Sequence, residues 1–271
     1  MNIKEDFTYS QSNLQDYIDC PYKFYLKHIL ELPWPAILYQ EALDYEMHLK
    51  MGEQFHTLIH QYGLGIPIEY LSASANHTML SLWWNNFLSY GKTYIEEEEE
   101  KIGEAQRFYE IPLNATLGEY RISAAFDMLL LSPSGKACIF DWKTERKQTH
   151  PQRRKRLAKR IQTRLYCLMP YLVQTPTEIS MLYWFANDPQ NPERFDVHPD
   201  QTQKEHSYFE RLLNKIQNNK ESDFQKTTQE HHCLFCAYRS FCERGIQAGG
   251  IDENIDEESH YSLDQVDEFA Y

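Results

Sequence analysis

The chain has 271 residues, of which 42% are hydrophobic and 14% aromatic, and its formal net charge is −13. This content is ample for a packed core and predicts a globular protein of one or two domains rather than a disordered chain. No apolar stretch approaches the roughly 18 residues of a membrane span, and no apolar segment of a signal peptide follows the polar residues Met1 to Ser10. We therefore expect a cytoplasmic protein with no membrane partner.

The amino-terminal part of the chain is predicted to be helical. Residues 10–30 fit a helix in which Ser12 is the N-cap and Gln15 completes a partial capping box. Cys20-Pro21 marks a kink or a boundary in this helix, because proline disfavours helical geometry in the residue before it. Two further helices are predicted at about residues 45–62 and 77–101, and the first of them is followed by a glycine- and proline-containing breaker.

A meander of three strands comes next. Residues 107–113, 120–132 and 136–142 are rich in β-branched and aromatic side chains, and a turn separates the last two. A basic helix at about residues 151–173, strands at 178–186 and 194–198, and a helix at about 202–218 follow. This order predicts an α/β domain over residues 1–245, with a central mixed sheet flanked by helices, and an acidic tail over residues 246–271.

The charge distribution bears on a nucleic-acid partner. A net negative charge opposes such a partner, because phosphate binding normally needs a basic surface. However, residues 251–271 contain eight acids and no Lys or Arg, whereas residues 141–164 contain ten Lys or Arg and two acids. A solvated helix face is the ordinary explanation of a charge run, but the single sign of this one favours contact with DNA.

Asp127 and Asp141 fall on adjacent predicted strands, which could bring their carboxylates together. Two carboxylates can hold Mg²⁺ or Mn²⁺ and leave coordination positions open for water and a phosphate. Lys143 lies two residues beyond Asp141 and therefore points to the same face of its strand. There its ammonium could orient or deprotonate an attacking water. Asp-x-Lys alone is a weak signal, and a surface ion pair is the ordinary alternative.

The order of these residues resembles that of the PD-(D/E)xK nuclease superfamily, and within it the RecB-type exonuclease branch. The shared features are a strand Asp127, a turn, a strand Asp141-Trp-Lys143-Thr, and a helix that carries Gln162-x-x-x-Tyr166. The resemblance implies a restriction-endonuclease-like fold, in which the two acids bind metal and Lys143 is the catalytic base. It also assigns Gln162 and Tyr166, which share one helix face, to holding Lys143 or a substrate phosphate.

Two earlier positions extend the resemblance. Gly52-x-x-x-His56 matches a pattern of the same branch, which implies that His56 is a further metal ligand. Without the resemblance, His56 would be interpreted as an ordinary histidine on a helix face. A zinc-like pair of His56 with His60, one turn later, is a further alternative. Glu110 occupies a strand position at which relatives often carry an acid, so we include it as a supporting candidate.

The six cysteines of a chain without a secretion signal favour metal ligands or buried thiols over disulfides. Cys20, Cys233, Cys236 and Cys242 supply four thiolates, enough for a tetrahedral zinc or a four-iron four-sulfur cluster, and their spacing does not choose between these. One cysteine before the core and a Cys-x2-Cys-x5-Cys after it resemble AddB-type nucleases and the CRISPR adaptation nucleases. This resemblance implies a 4Fe-4S cluster that joins the two terminal segments.

The resemblance covers about residues 9–245 and implies a metal-dependent exonuclease that acts on single-stranded DNA or DNA ends in repair and recombination. No P-loop sequence is present, so we expect any helicase partner to be a separate polypeptide. Three alternatives stay open. They are a non-catalytic DNA-binding or assembly subunit with the same fold, a zinc-bound interaction protein, and a nuclease that processes spacers together with other CRISPR proteins.

Overall fold

The computed structural model describes residues 3–4, 6–33, 40–145, 150–173, 176, 178–234 and 236–245. The predicted acidic tail, and Arg146 and Lys147 of the basic segment, lie outside these ranges. The described residues form a mixed α/β fold, as predicted, with a central sheet between two layers of helices. Within these ranges no helix combines the length and the apolar character needed to cross a bilayer.

The central sheet contains both parallel and antiparallel pairs, which confirms a mixed sheet. Its six strands in the described residues are β1 (Thr8–Ser10), β2 (Gln106–Leu117), β3 (Tyr120–Leu131), β4 (Lys136–Lys143), β5 (Glu178–Phe185) and β6 (Glu193–Val197). The strand order is β1-β3-β4-β5-β6, and β2 pairs with β3 outside this path. β1 with β3 and β4 with β5 are parallel, while the other pairs, including the predicted meander, are antiparallel.

Helices cover both faces of the sheet. The α-helices of the described residues are α1 (Gln11–Asp19), α2 (Pro21–Phe24), α3 (Gln40–Gly63), α4 (Ile68–Ser74), α5 (Thr78–Asn86), α6 (Lys92–Ile102), α7 (His150–Lys159), α8 (Ile161–Val173) and α9 (Pro199–Asn218). α2 and α5 continue into π-helical turns at Tyr25–Ile29 and Phe87–Gly91. Short 3₁₀ turns lie at Glu221–Asp223 and Glu230–Cys233. α7 and α8 together make the crossover that the parallel β4–β5 pair requires.

Two predicted helix details are wrong. The N-cap of α1 is Ser10 rather than Ser12, because the Ser10 hydroxyl accepts from the Asn13 backbone N–H at 3.3 Å and the Asn13 side chain accepts from the Ser10 N–H at 2.9 Å. The predicted basic helix is in fact two helices that are divided at Arg160. The predicted boundary at Cys20-Pro21 is confirmed.

Two apolar clusters fill the spaces between the sheet and its helices. α1, α8 and α9 cover one face, and α3, α5 and α6 cover the other. Along β4 the side chains alternate regularly, with Ile139 on the α8 side and Phe140 on the α3 side. Along β3 the alternation breaks, because Phe126 packs on the α8 side and Met128, two residues later, packs on the α3 side.

The same break occurs in β2. Glu110 has a positive φ of 47°, a conformation that is uncommon for residues other than glycine. The β2–β3 register pairs Tyr109 with Met128 and Ile111 with Phe126, but gives no pair at the level of Glu110 and Asp127. The two strands therefore kink together at this level.

Candidate active site

The two predicted aspartates lie where β3 and β4 separate. The last pair of their antiparallel ladder is Met128 with Phe140, so Asp127 and Asp141 come directly beyond it. Both side chains are buried. The backbone N–H of Trp142 donates to Asp127 Oδ2 at 2.7 Å, which fixes this carboxylate across the fork. Both predicted acids thus reach one end of the ladder.

Asp127 also belongs to a group of potential metal ligands with His56 and Glu110. One donor atom from each of these three residues lies within 4.8 Å of the other two. His56 Nδ1 is 3.4 Å from Asp127 Oδ1, is buried, and makes no hydrogen bond to any residue in the described ranges. A buried imidazole nitrogen left without a hydrogen bond, facing two carboxylates, is a donor set that suits a divalent cation such as Mn²⁺ or Mg²⁺.

Gly52 explains how α3 brings His56 to the sheet. A β-carbon at this position would lie 3.1 Å from Thr144 Oγ1, which is tighter than an ordinary contact between the two atoms. Glycine therefore lets α3 approach the end of β4 closely. The Gly-x-x-x-His pattern places His56 one helical turn further on and on the same side of α3, next to the β3–β4 fork.

The charges of this group perturb one another strongly. Burial favours the neutral form of His56, but the charge of Asp127 outweighs burial and raises the pKa of His56 to about 9. Burial and the charge of Asp127 raise the pKa of Glu110 to about 7. Burial opposes ionisation of Asp127 as well, yet the charge of His56 lowers the pKa of Asp127 below its ordinary value. Two carboxylates thus compete for one imidazolium, and a bound cation would relieve this competition.

Lys143 and Asp141 form a buried ion pair beside this group. Their side chains are 5% and 2% exposed, and Lys143 Nζ lies 2.6 Å from Asp141 Oδ2. Gln162 of α8 bridges them, because its Nε2 donates to Asp141 Oδ1 at 2.7 Å and its Oε1 accepts from Lys143 Nζ at 3.2 Å. The ammonium also faces the ring of Tyr183 at 5.5 Å. The position of Lys143 is thus fixed by charge, hydrogen bonding and packing together.

Tyr166 lies near the site but contacts a different part of it. Its hydroxyl donates to the carbonyl oxygen of Ala125 at 2.5 Å, and its ring packs edge-to-face on Phe126 at 4.8 Å. Burial raises the pKa of Tyr166 well above its ordinary value, so the hydroxyl stays a donor. Tyr166 therefore holds the strand segment that leads to Asp127, whereas Gln162 holds Lys143.

The structure brings the predicted residues His56, Asp127, Asp141, Lys143 and Gln162 to one end of the sheet. In the described ranges, the close group of potential ligands contains Glu110 in addition to His56 and Asp127, and it contains neither Asp141 nor His60. The sequence signal for Glu110 is the resemblance alone, since relatives often carry an acid at this strand position. The kink that turns Glu110 towards Asp127 cannot be recognised from the types of the residues.

Several cations of the predicted basic segment face acidic side chains instead of solvent. Arg153 is buried and lies 2.9 Å from Asp188. Arg156 and Arg160 reach the buried Glu145 at 2.5 Å and 3.4 Å. These pairs hold α7 and Arg160 against the segments that follow β4 and β5. The cations that form them are therefore not the solvated helix face that a charge run ordinarily indicates.

The exposed cations of this segment are fewer. Lys155 and Lys159 are exposed on α7, and the Arg154 side chain is 52% exposed although it contacts Glu193 at 3.2 Å. Arg164 is ion-paired with Glu205 at 2.7 Å. Within the described ranges, the basic surface after Lys143 is therefore narrower than the sequence suggests.

The four predicted cysteine ligands meet in a second place, away from the β3–β4 fork. Cys20, Cys233, Cys236 and Cys242 line one pocket, together with the cationic residues Lys23, Lys226, Arg239 and Arg244. All four thiols are free of disulfide bonds. The backbone N–H of Thr227 donates to Cys20 Sγ at 3.4 Å, and burial raises the pKa of Cys236 to about 11. Four thiols that line one pocket with cationic side chains could hold a metal centre of net negative charge. In the described ranges, no three of their sulfur atoms all lie within 4.8 Å of one another.

The terminal segments also contact each other outside this pocket. Phe224 stacks on Tyr25 at 5.2 Å and on Phe24 at 6.1 Å. The Tyr238 hydroxyl donates to the carbonyl oxygen of Leu32 at 2.9 Å. Packing and hydrogen bonds therefore contribute to the join between the termini, in addition to any centre held by the thiols.

One comparison with known proteins assigns a family to the chain. The model of the PD-(D/E)XK nuclease superfamily matches residues 8–243. A comparison with curated protein sequences gave no match. The crystal structure of SSO0001 is 12% identical, covers 89% of this chain and 88% of its own, and has a TM-score of 0.39. A "putative exonuclease" from Eubacterium rectale is 9% identical, covers 82% of this chain and 85% of its own, and has a TM-score of 0.46.

Proposed function

The chain belongs to the PD-(D/E)XK nuclease superfamily, and we propose that it hydrolyses DNA phosphodiester bonds with Mg²⁺ or Mn²⁺. The observation that carries the proposal is the convergence of two groups of side chains at the β3–β4 fork. The potential ligands His56, Glu110 and Asp127 form one group. The buried pair of Asp141 and Lys143 forms the other.

His56, Glu110 and Asp127 would hold the metal, with Asp141 as a further candidate ligand. A divalent cation in such a site supplies a water of lowered pKa and offsets negative charge on the phosphate. Three different elements of the chain place this donor set. α3 places His56, the β2–β3 kink places Glu110, and the Trp142 N–H holds the Asp127 carboxylate in orientation.

Lys143 would act on the attacking water and on the developing charge of the phosphate. An ammonium that is held in place beside the reacting group stabilises the transition state without reorganisation. The ion pair with Asp141 and the hydrogen bond from Lys143 to Gln162 Oε1 supply this fixed position. Gln162 and Tyr166 then serve as supports, one for Lys143 and one for the strand of Asp127.

The substrate that we propose is single-stranded DNA or a DNA end, which the chain cuts as an exonuclease in repair or recombination. The resemblance of the Asp-Trp-Lys, Gln-x-x-x-Tyr and Gly-x-x-x-His patterns to the RecB-type branch supports this choice. The DNA backbone would contact the exposed side chains of Lys155 and Lys159 and the half-exposed side chain of Arg154. Any helicase that supplies the single strand would be a separate polypeptide.

We also propose that Cys20, Cys233, Cys236 and Cys242 hold a 4Fe-4S cluster. Support comes from the single pocket that these thiols share with four cationic side chains and from the resemblance of their spacing to AddB-type nucleases. A cluster would close a loop of about two hundred residues, which chain entropy makes costly to close. Its role would be structural.

The test uses purified full-length protein and end-labelled single- and double-stranded DNA with Mg²⁺, Mn²⁺ or EDTA. We expect cleavage that requires a metal, releases products from the ends, and is lost in Asp127→Ala. The matched control is Glu104→Ala, which removes an exposed acid that lies outside the site. DNA binding without cleavage under every metal condition would instead identify a non-catalytic DNA-binding subunit.

A further inference from the structure

Gln15 of α1 lies between the cysteine pocket and the β3–β4 fork and makes a hydrogen bond towards each. We propose that Gln15 is a positioning residue for the nuclease centre, which sets the start of α8 and thereby the side chain of Gln162. This inference rests on the proposed function. It adds a residue that lies in neither group of the candidate active site.

The first contact is with the start of α8. Gln15 Oε1 accepts a hydrogen bond from the backbone N–H of Ile161 at 3.3 Å. Ile161 is the first residue of α8, and the first N–H groups of a helix have no partner within the helix. A side chain from α1, more than a hundred positions away in the sequence, therefore caps the helix that carries Gln162.

The next residue along α8 is the one that touches both groups of the ion pair. Gln162 Nε2 lies 2.7 Å from Asp141 Oδ1, and Gln162 Oε1 lies 3.2 Å from Lys143 Nζ. The amide satisfies both groups in one orientation only, with its nitrogen towards the carboxylate and its oxygen towards the ammonium. A shift of the first turn of α8 would lengthen one or both of these hydrogen bonds.

The second contact of Gln15 is with the cysteine pocket. Gln15 Nε2 donates to Asp19 Oδ1 at 2.8 Å, and Asp19 directly precedes Cys20. His232 Nδ1 lies 3.6 Å from the same Asp19 oxygen, and His232 directly precedes Cys233 and lines the pocket. The neighbours of two thiols from opposite ends of the chain thus meet at the carboxylate that orients Gln15. Order in the cysteine pocket is transmitted to Gln162 through this one amide.

The hydrogen bonds of Gln15 can be removed by a substitution that keeps the fold. Gln15 is half-buried, and its aliphatic part can be replaced by the similar chain of methionine. Gln15→Met therefore removes both hydrogen bonds without opening a large cavity. We expect the fold and the metal content of the cysteine pocket to persist. The start of α8, and with it the side chain of Gln162, would no longer be held in place.

The experiment measures kcat and KM for cleavage of labelled single-stranded DNA by full-length protein. We expect Gln15→Met to lower kcat by about tenfold, since small misplacements near a reacting centre have effects of this order, and to leave KM unchanged. Ile18→Met is the matched control, because Ile18 lies on the same helix, receives the same new side chain, and is 45% exposed. Ile18→Met should keep the kcat of the unsubstituted protein.

A double variant tests the route through Gln162. If Gln15 acts by placing Gln162, the change Gln15→Met should have little further effect on kcat in a Gln162→Ala background. Full multiplication of the two losses, or an unchanged kcat in Gln15→Met, would overturn the inference. If Gln15→Met fails to fold, Gln15→Ala replaces it, because alanine also removes both hydrogen bonds. A folded Gln15→Ala with the kcat of the unsubstituted protein would overturn the inference.

Failure of the proposed function gives a different result. In that case the unsubstituted protein cleaves no DNA with any metal. Failure of the present inference leaves the unsubstituted protein active and shows only in the variants.

Discussion

Replacing Lys143 by methionine should destabilise the protein as well as abolish cleavage. Lys143 and Asp141 are almost fully buried and lie 2.6 Å apart. Methionine keeps most of the volume of the lysine side chain, so the substitution removes the charge without creating a large cavity. Asp141 then stays buried without the ammonium that faces it.

The size of the effect follows from the surroundings of Asp141. Removal of one partner from a buried ion pair costs about 3–5 kcal/mol of the free energy of unfolding. Asp141 keeps the hydrogen bond from Gln162 Nε2 at 2.7 Å, which favours the lower end of that range. A loss of about 3 kcal/mol would lower the melting temperature by about 6–10 °C in a chain of this length.

Thermal and urea unfolding in EDTA measure this loss without any contribution from metal or DNA. The double variant Asp141→Asn/Lys143→Met has neither charge, so it should be about 2 kcal/mol more stable than Lys143→Met alone. Lys159→Met, on the exposed face of α7, is the control and should melt like the unsubstituted protein. Lys143 would have no stabilising role if Lys143→Met also melted like the unsubstituted protein, or if the double variant were the least stable of all.

Three further predictions concern other parts of the two sites. Glu110→Gln should stabilise the metal-free protein at pH 8 by about 1 kcal/mol after solvent screening, because the pKa of Glu110 is raised from 4.5 to about 7 and its ionisation opposes folding. The gain should shrink as the pH falls towards 4.5, and melting in EDTA at several pH values measures it. A gain that grew as the pH fell would contradict the prediction. Tyr166→Phe should cost about 1–2 kcal/mol in urea unfolding, because the Ala125 carbonyl loses its donor; an unchanged stability would mean that water replaces the hydroxyl. With the proposed cluster bound, the anaerobically purified protein should be brown. Cys233→Ser should lose this colour and melt at a lower temperature, whereas Cys138→Ser should keep the colour. A Cys233→Ser variant that stays brown would exclude this cysteine as a cluster ligand.

The strands and most helices could be predicted from the sequence because their signals are local. The meander of residues 106–143 is rich in β-branched and aromatic side chains and contains a turn sequence, and the observed strands differ from the prediction by a few residues at their ends. The boundary at Cys20-Pro21 follows from the chemistry of proline. The wrong N-cap has a physical cause, since Ser10 and Ser12 offer the same hydroxyl and only the Asn13 side chain decides between them.

The kink at Glu110 and Asp127 could not be predicted in the same way. Regular alternation would carry every second residue of β3 to one face, yet Phe126 and Met128 lie on opposite faces. The positive φ of Glu110 depends on the packing of both strands and belongs to no residue type in particular. The exposure of a charged side chain could not be predicted either. Arg153 and Lys155 are equivalent cations in the sequence, and only the fold places Asp188 beside Arg153.

The short Asp-x-Lys motif of β4 depends on residues from several other elements of the fold. Asp141 and Lys143 are local to β4, but each is fixed by a residue from another element. Gln162 of α8 holds the pair, and α8 begins at a residue that α1 caps through Gln15. α1 in turn ends beside Cys20, whose thiol shares a pocket with three cysteines from the far end of the chain. If Gln15 has the positioning role proposed for it, a change at either terminus reaches Lys143 through Gln15, the start of α8 and Gln162. For that reason the cysteine pocket and the nuclease centre should be assayed together.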